Sequence, residues 1–138
     1  MKKYLMIMLV LIGFGIFGSA EASAQTLNFR TTSYAQATVY NGRYYWGDWE
    51  SSNMLVTINL DTDIIKVYSP RTQVYKVYGT YNNGNAYTDN SGGSNVKYYV
   101  YDQDGDRGEI RLRIERNGNS QIYVDFSNVA WCYNVRRI

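Results

Sequence analysis

The chain has 138 residues, 14 Lys and Arg against 12 Asp and Glu, a formal net charge of +2, fifteen tyrosines, one cysteine and no histidine. A charge this close to zero sets aside a general nucleic-acid binder, whose footprint is a strongly basic face. The lack of histidine removes the usual general base near neutral pH, the Ser-His and Cys-His nucleophile systems and most zinc sites, and no cofactor is expected. A single cysteine excludes an internal disulfide.

In chain order, Lys2 and Lys3, an apolar run from Leu5 to Phe17 and the Ala22-Ser23-Ala24 cleavage site have the layout of a secretory signal peptide. The apolar run falls short of the roughly 20 residues that a spanning helix needs. Residues 1–24 are therefore expected to be removed, leaving no stable membrane span in the mature form. Residues 25–138 are long enough for one domain with a single core, exported to the periplasm or the extracellular space. Cys132, alone in an exported chain, reads either as a reactive or intermolecular thiol or as a small buried apolar residue.

Gln25 to Thr32 carries no clear periodicity and reads as a lead-in, whereas Tyr34 to Tyr40 suits a strand that turns at Asn41-Gly42. Tyr44-Tyr45-Trp46-Gly47-Asp48-Trp49 is the densest aromatic run. Strands are predicted over Met54 to Leu60, Ile64 to Tyr68 and Gln73 to Tyr81, with turns at Asp61 to Asp63 and at Ser69-Pro70-Arg71. Asn82 to Asn95 is rich in Asn, Gly and Ser, with Ala86 to Asp89 as a short strand inside it; it reads as a mobile site loop or as a long hairpin connection. Val96 to Tyr101 is a strand and Asp102 to Arg107 a turn.

The most regular part follows. Ile110, Leu112 and Ile114 alternate with Glu109, Arg111, Arg113 and Glu115, and Ile122, Val124 and Phe126 repeat the pattern, as half-buried strands do. Asn117-Gly118 between them predicts a type I′ turn, which needs positive φ at both central residues. Val129 to Arg137 closes the chain, with Val129, Trp131, Tyr133 and Val135 on one face.

Tyr, Val, Ile and Thr dominate these segments, as β-propensity expects. Strands every 8 to 12 residues or so with turns between them have the spacing of a sandwich or barrel. The predicted fold is all-β, an antiparallel meander of about eight or nine strands closing into a small barrel, because closure removes two exposed edges. A β-sandwich is the second architecture.

Two constellations could carry chemistry. Asp102, Asp104 and Asp106 offer the oxygen ligands that Ca²⁺ prefers, but an EF-hand loop counted from Asp102 would place Arg107 and Arg113 where it needs glycine and glutamate. The run therefore reads as an Asp/Gly turn. Paired carboxylates drawn from Asp48, Glu50, Glu109, Glu115 and Asp125 could hydrolyse a glycoside, although no pairing follows from sequence. The interleaved Arg107, Arg111, Arg113 and Arg116 read as a solvated strand face.

Gly47-Asp48-Trp49, followed by a β-meander and a final strand ending in Arg136-Arg137, resembles the calycin superfamily, which includes the lipocalins. The resemblance implies that Trp49 closes the barrel floor and that Arg136 or Arg137 covers it. The Tyr-rich strands, the Asp-x-Asp-Gly turn and the terminal Trp-x-Tyr-Asn run are similar to those of small uncharacterised exported β-rich proteins of Bacteroidetes-type bacteria, which implies compartment and fold only.

The function expected first is a non-catalytic exported binding module that takes a small apolar or glycan ligand at an aromatic-lined mouth built from Tyr44, Tyr45, Trp46, Trp49 and Tyr87. The alternatives are an envelope protein-interaction or inhibitor protein using outward Tyr and Arg faces, and a carboxylate-based hydrolase.

Overall fold

A computed structural model describes residues 26–59 and 61–138; the expected signal peptide, residues 1–24, and Leu60 lie outside the described residues. Eleven strands form one antiparallel sheet: β1 (Thr26–Tyr40), β2 (Arg43–Trp46), β3 (Glu50–Ser51), β4 (Leu55–Asn59), β5 (Ile64–Val67), β6 (Gln73–Thr80), β7 (Tyr87–Thr88), β8 (Ser94–Tyr101), β9 (Arg107–Ile114), β10 (Ser120–Asp125) and β11 (Val129–Arg137). Eight of them close a barrel in the order β1-β4-β5-β6-β8-β9-β10-β11, with β11 pairing back to β1. The barrel expectation holds and the sandwich does not, because the first and last strands satisfy each other's edges.

The stretch read as a lead-in is instead the first half of β1. Leu27 and Phe29 point into the core while Asn28 and Arg30 do not, an alternation too short and too diluted by polar residues to be seen in sequence. β2, β3 and β4 all return along β1, so these four segments are one long hairpin. Its register moves from Ala37↔Trp46 to Tyr34↔Glu50 and then to Arg30↔Leu55, which places one extra residue at 47–49 and another at 52–54. Each step is a β-bulge. The hairpin is closed by Asn41 (φ 52) and Gly42 (φ 75), both left-handed as a type I′ turn requires.

The Asn117-Gly118 turn is of another kind. Only Gly118 has positive φ, and Gly118 N–H donates to the Glu115 carbonyl while Glu115 N–H donates to Asn119. That is a type I turn with a glycine bulge, and the same bonding recurs at Asp89-to-Gly93 and Asp102-to-Asp106.

The barrel interior is filled. All eight barrel strands contribute to one core, from Leu27, Phe29, Val56 and Ile58 through Ile65, Val77, Tyr98 and Ile110 to Ile122, Val124, Tyr133 and Val135. Eight strands enclose a space just wide enough for side chains to fill. Inward tyrosines need partners for their hydroxyls, and Gln73 provides one: its Oε1 accepts from Tyr75, and its side chain also bonds Tyr133. Burial pushes the Tyr133 phenol up to about 12.

Candidate functional site

The predicted aromatic cluster is spread over an arm, the upper half of the β1–β2 hairpin, in which β1 stays paired with β11 as far as Thr38. All four β2 residues are exposed, and Tyr40, Tyr44, Tyr45, Trp46 and Trp49 are 65%, 46%, 56%, 44% and 53% exposed. Alternation splits them between two faces. Tyr45 pairs with Thr38, and Thr38 and Gln36 pair with Val129 and Trp131, so Tyr45 lies on the side that faces the barrel mouth. Trp46 pairs with Ala37 and shares the outer side with Tyr44. The Tyr44 and Trp46 rings lie 6.1 Å apart and 21° from parallel.

The outer side explains a strip of small residues. Ala35 and Ala37 pair with Cys132 and Ala130, and all four are buried although they point away from the core. The arm curls over them, because the Tyr44 hydroxyl bonds the carboxylate of Asp125 on β10, two strands beyond its own neighbour. Larger side chains would hold the arm off the wall. Burial, and then Asp125 itself, push the Tyr44 phenol up; burial likewise pushes the Asp125 carboxyl up. Cys132 sits in this seat against Tyr123, and burial raises its thiol, which accords with a small buried apolar residue.

Further across the outer wall, cations lie over rings. Arg111 is 4.1 Å from the centre of Tyr123, Arg107 is 5.8 Å from Tyr101 and Lys97 is 5.1 Å from Tyr81. Tyr87 meets Tyr81 edge-on at 5.1 Å, at the end of the barrel opposite the arm. Tyr87 therefore belongs to a separate aromatic group and does not join Tyr44, Tyr45, Trp46 and Trp49.

Trp49 does not close a barrel floor. It is 53% exposed in the bulge before β3, while Arg137 pairs with Phe29 at the far end of β1. The Gly-x-Trp motif thus lies in the upper bulge of the arm and not in the barrel floor.

The carboxylates have local partners. Glu109 and Asp125 face each other across β9 and β10, with Glu109 3.4 Å from Lys97 and Asp125 bonded to Tyr44. Glu115 lies 3.2 Å from Arg113. Asp102 Oδ1 accepts the N–H groups of both Asp104 and Asp106 at 2.9 Å, so Asp102 builds the turn. Among the described residues no three His, Cys, Asp or Glu side chains converge as a metal site, Asp102, Asp104 and Asp106 included.

Sequence reasoning expected an aromatic-lined mouth but drew it from other residues. The β5–β6, β8–β9 and β10–β11 turns surround two adjoining clefts of about 480 Å³ and about 270 Å³, which share Tyr75, Asp102 and Trp131. In sequence Trp131 reads only as one of four residues on one face of the last strand. The available signal was its place two residues inside the start of the last strand, where an inward ring reaches the rim.

No family model and no curated protein matches the chain. Among the described residues no helix is long and apolar enough to cross a membrane. Among solved structures the chain is similar to HpuA from Kingella denitrificans, determined in complex with human haemoglobin, with TM-score 0.35 and 13% identity over 81% of this chain and 42% of that one.

Proposed function

We propose that the protein is an exported, non-catalytic binding module that holds a glycan chain against its aromatic arm. The carrying observation is that Tyr40, Tyr44, Tyr45, Trp46 and Trp49, five of the most exposed large side chains, stand together on one hairpin. Exposed aromatic side chains gathered on one element mark an interaction site, here with Tyr44 and Trp46 on one face of the hairpin and Tyr45 on the other. Rigid amphipathic rings offer contact area at low entropic cost, and Tyr44 is additionally fixed by Asp125. A filled interior argues against an apolar ligand carried inside the barrel. The outer carboxylates are taken up by Lys97, Arg113 and Tyr44, which supports binding over hydrolysis.

Retention on insoluble cellulose, chitin and peptidoglycan tests the reading. The protein should be retained on at least one, and Tyr45→Ala with Trp46→Ala should weaken retention at least about tenfold, as loss of a central aromatic anchor does. Equal retention of the variant, or none of the parent, overturns it.

A second reading rests on the outer edge of β2, which among the described residues pairs only with β1. An exposed strand edge can accept an added strand from a protein partner. Crosslinking in the native envelope should then recover one dominant partner that depends on residues 43–46.

A further inference from the structure

We propose that the barrel mouth is a second, separate binding site, built for one or two rings of a neutral saccharide with Trp131 as its stacking floor. It does not depend on the arm's role, and either can fail alone.

Four features of the mouth support this. Its larger cleft, about 480 Å³, falls in the roughly 300–1,000 Å³ range of small-ligand sites. Its walls are braced: the Gln103 Oε1 on the β8–β9 turn accepts the Val74 N–H of β6 at 3.4 Å, and Asp102 closes its own turn through two backbone bonds. Tyr75 is packed 5.9 Å from Phe126 and bonded to Gln73. A ligand thus meets a surface that is already ordered, which lowers the cost of binding.

The chemistry of the lining selects the ligand class. Trp131 supplies apolar ring area, while Arg71, Asp102, Gln103 and Asp104 supply donors and acceptors around it. An apolar ligand would have to strip water from two carboxylates and a guanidinium without replacing their bonds, which is costly. A lone cation or anion would meet charges of both signs. A pyranose meets both requirements: its C–H face covers an aromatic ring, and each hydroxyl both donates and accepts. Planar amide, carboxylate and guanidinium groups can bridge neighbouring hydroxyls as they bridge other paired partners.

The test uses the Trp46→Phe, Trp49→Phe protein, in which Trp131 is the one remaining tryptophan, titrated with maltose, cellobiose and N,N′-diacetylchitobiose up to tens of millimolar. At least one disaccharide is expected to change Trp131 emission saturably. Gln103→Ala and Asp104→Ala, both at the exposed rim, should each weaken that response about five- to tenfold while leaving the circular dichroism spectrum unchanged. Polysaccharide retention through the arm should be unaffected by these two rim changes in the otherwise unmodified protein. No saturable change with any of the three sugars overturns the proposal, as does a response that both rim variants leave intact. Loss of polymer retention with an intact Trp131 response would overturn the arm reading and leave this one standing.

Discussion

At the scale of single residues, the outer wall is ordered by a few polar side chains with several partners each. Asp89 is the clearest. Its Oδ1 accepts the N–H groups of Ser91 and Gly93, and its Oδ2 accepts from Asn95 Nδ2 and, at 2.6 Å, from Arg113 Nε. Arg113 continues to Gln121 and Glu115. The Arg113 bond first, then Asn95 and Gly93, hold the Asp89 carboxyl well below the usual carboxylate range. A depressed acid binds fewer protons folded than unfolded, so its contribution is complete above the unfolded value near 4 and is lost as pH falls through the folded one. Asp89→Asn should therefore lower the urea midpoint at pH 7 and flatten the decline of that midpoint between about pH 4 and pH 2. Parallel curves for the two proteins would contradict this. The same bonds explain why the Asn- and Gly-rich segment around Asp89 is a fixed hairpin connection; composition could not distinguish that from a mobile loop, because the pinning arginine lies 24 residues away.

At the scale of elements, the long β1–β4 hairpin depends on its two bulges. The lower one is held from inside by Thr31, which is 1% exposed. Its Oγ1 accepts the Met54 N–H and shares a hydrogen bond with Ser52 Oγ, both at 2.7 Å. Thr31→Val keeps the shape and leaves the Met54 N–H without that acceptor. The cost expected for an unsatisfied buried donor is about 1–3 kcal/mol, measurable by urea unfolding, and Thr31→Ser should recover most of it. A midpoint unchanged in the valine variant would show that the bulge is set by the turn alone. Strand positions were legible wherever apolar and polar residues alternated, as in β9, β10 and β11, since period 2 is imposed by the pleat itself. Bulges were not legible, because each is one extra residue whose place depends on which strand lies opposite. The Gly47-Asp48-Trp49 run was therefore given a role in the floor when it is the upper bulge, and Asn117-Gly118 was given a type I′ turn when Arg116 and Asn117 take ordinary turn angles ahead of a left-handed Gly118.

At the scale of the whole molecule, the all-β class, the meander and its closure could be argued from the number of strands and the cost of open edges. The site could not, because a mouth is assembled from turns that are far apart in sequence, and only a closed barrel brings Arg71, Asp102 and Trp131 together. Closure itself is a long-range event. β11 bonds β1 across about a hundred residues, as in Asn134 to Ser33 with a separation of 101, and it is also the partner of β10 along Ser120↔Val135 to Asp125↔Ala130. Removing it would free two edges at once and take Tyr133 and Val135 out of the core. The remaining strands could not redistribute the loss, since among the described residues no other element covers either edge. A chain ending at Asn128 should thus show no cooperative urea transition and no dispersed amide spectrum, and adding the peptide 129–138 should restore both by supplying the missing strand to the two edges. Cooperative folding of the shortened chain alone would mean that the sheet is stable open, and that closure serves to form the mouth without being needed to hold the core. For the intact chain the same topology sets the rate: contacts of such sequence separation put folding in the millisecond-to-second range typical of non-local β proteins. Stopped-flow refolding faster than that would show that the hairpins assemble a core before β1 and β11 meet.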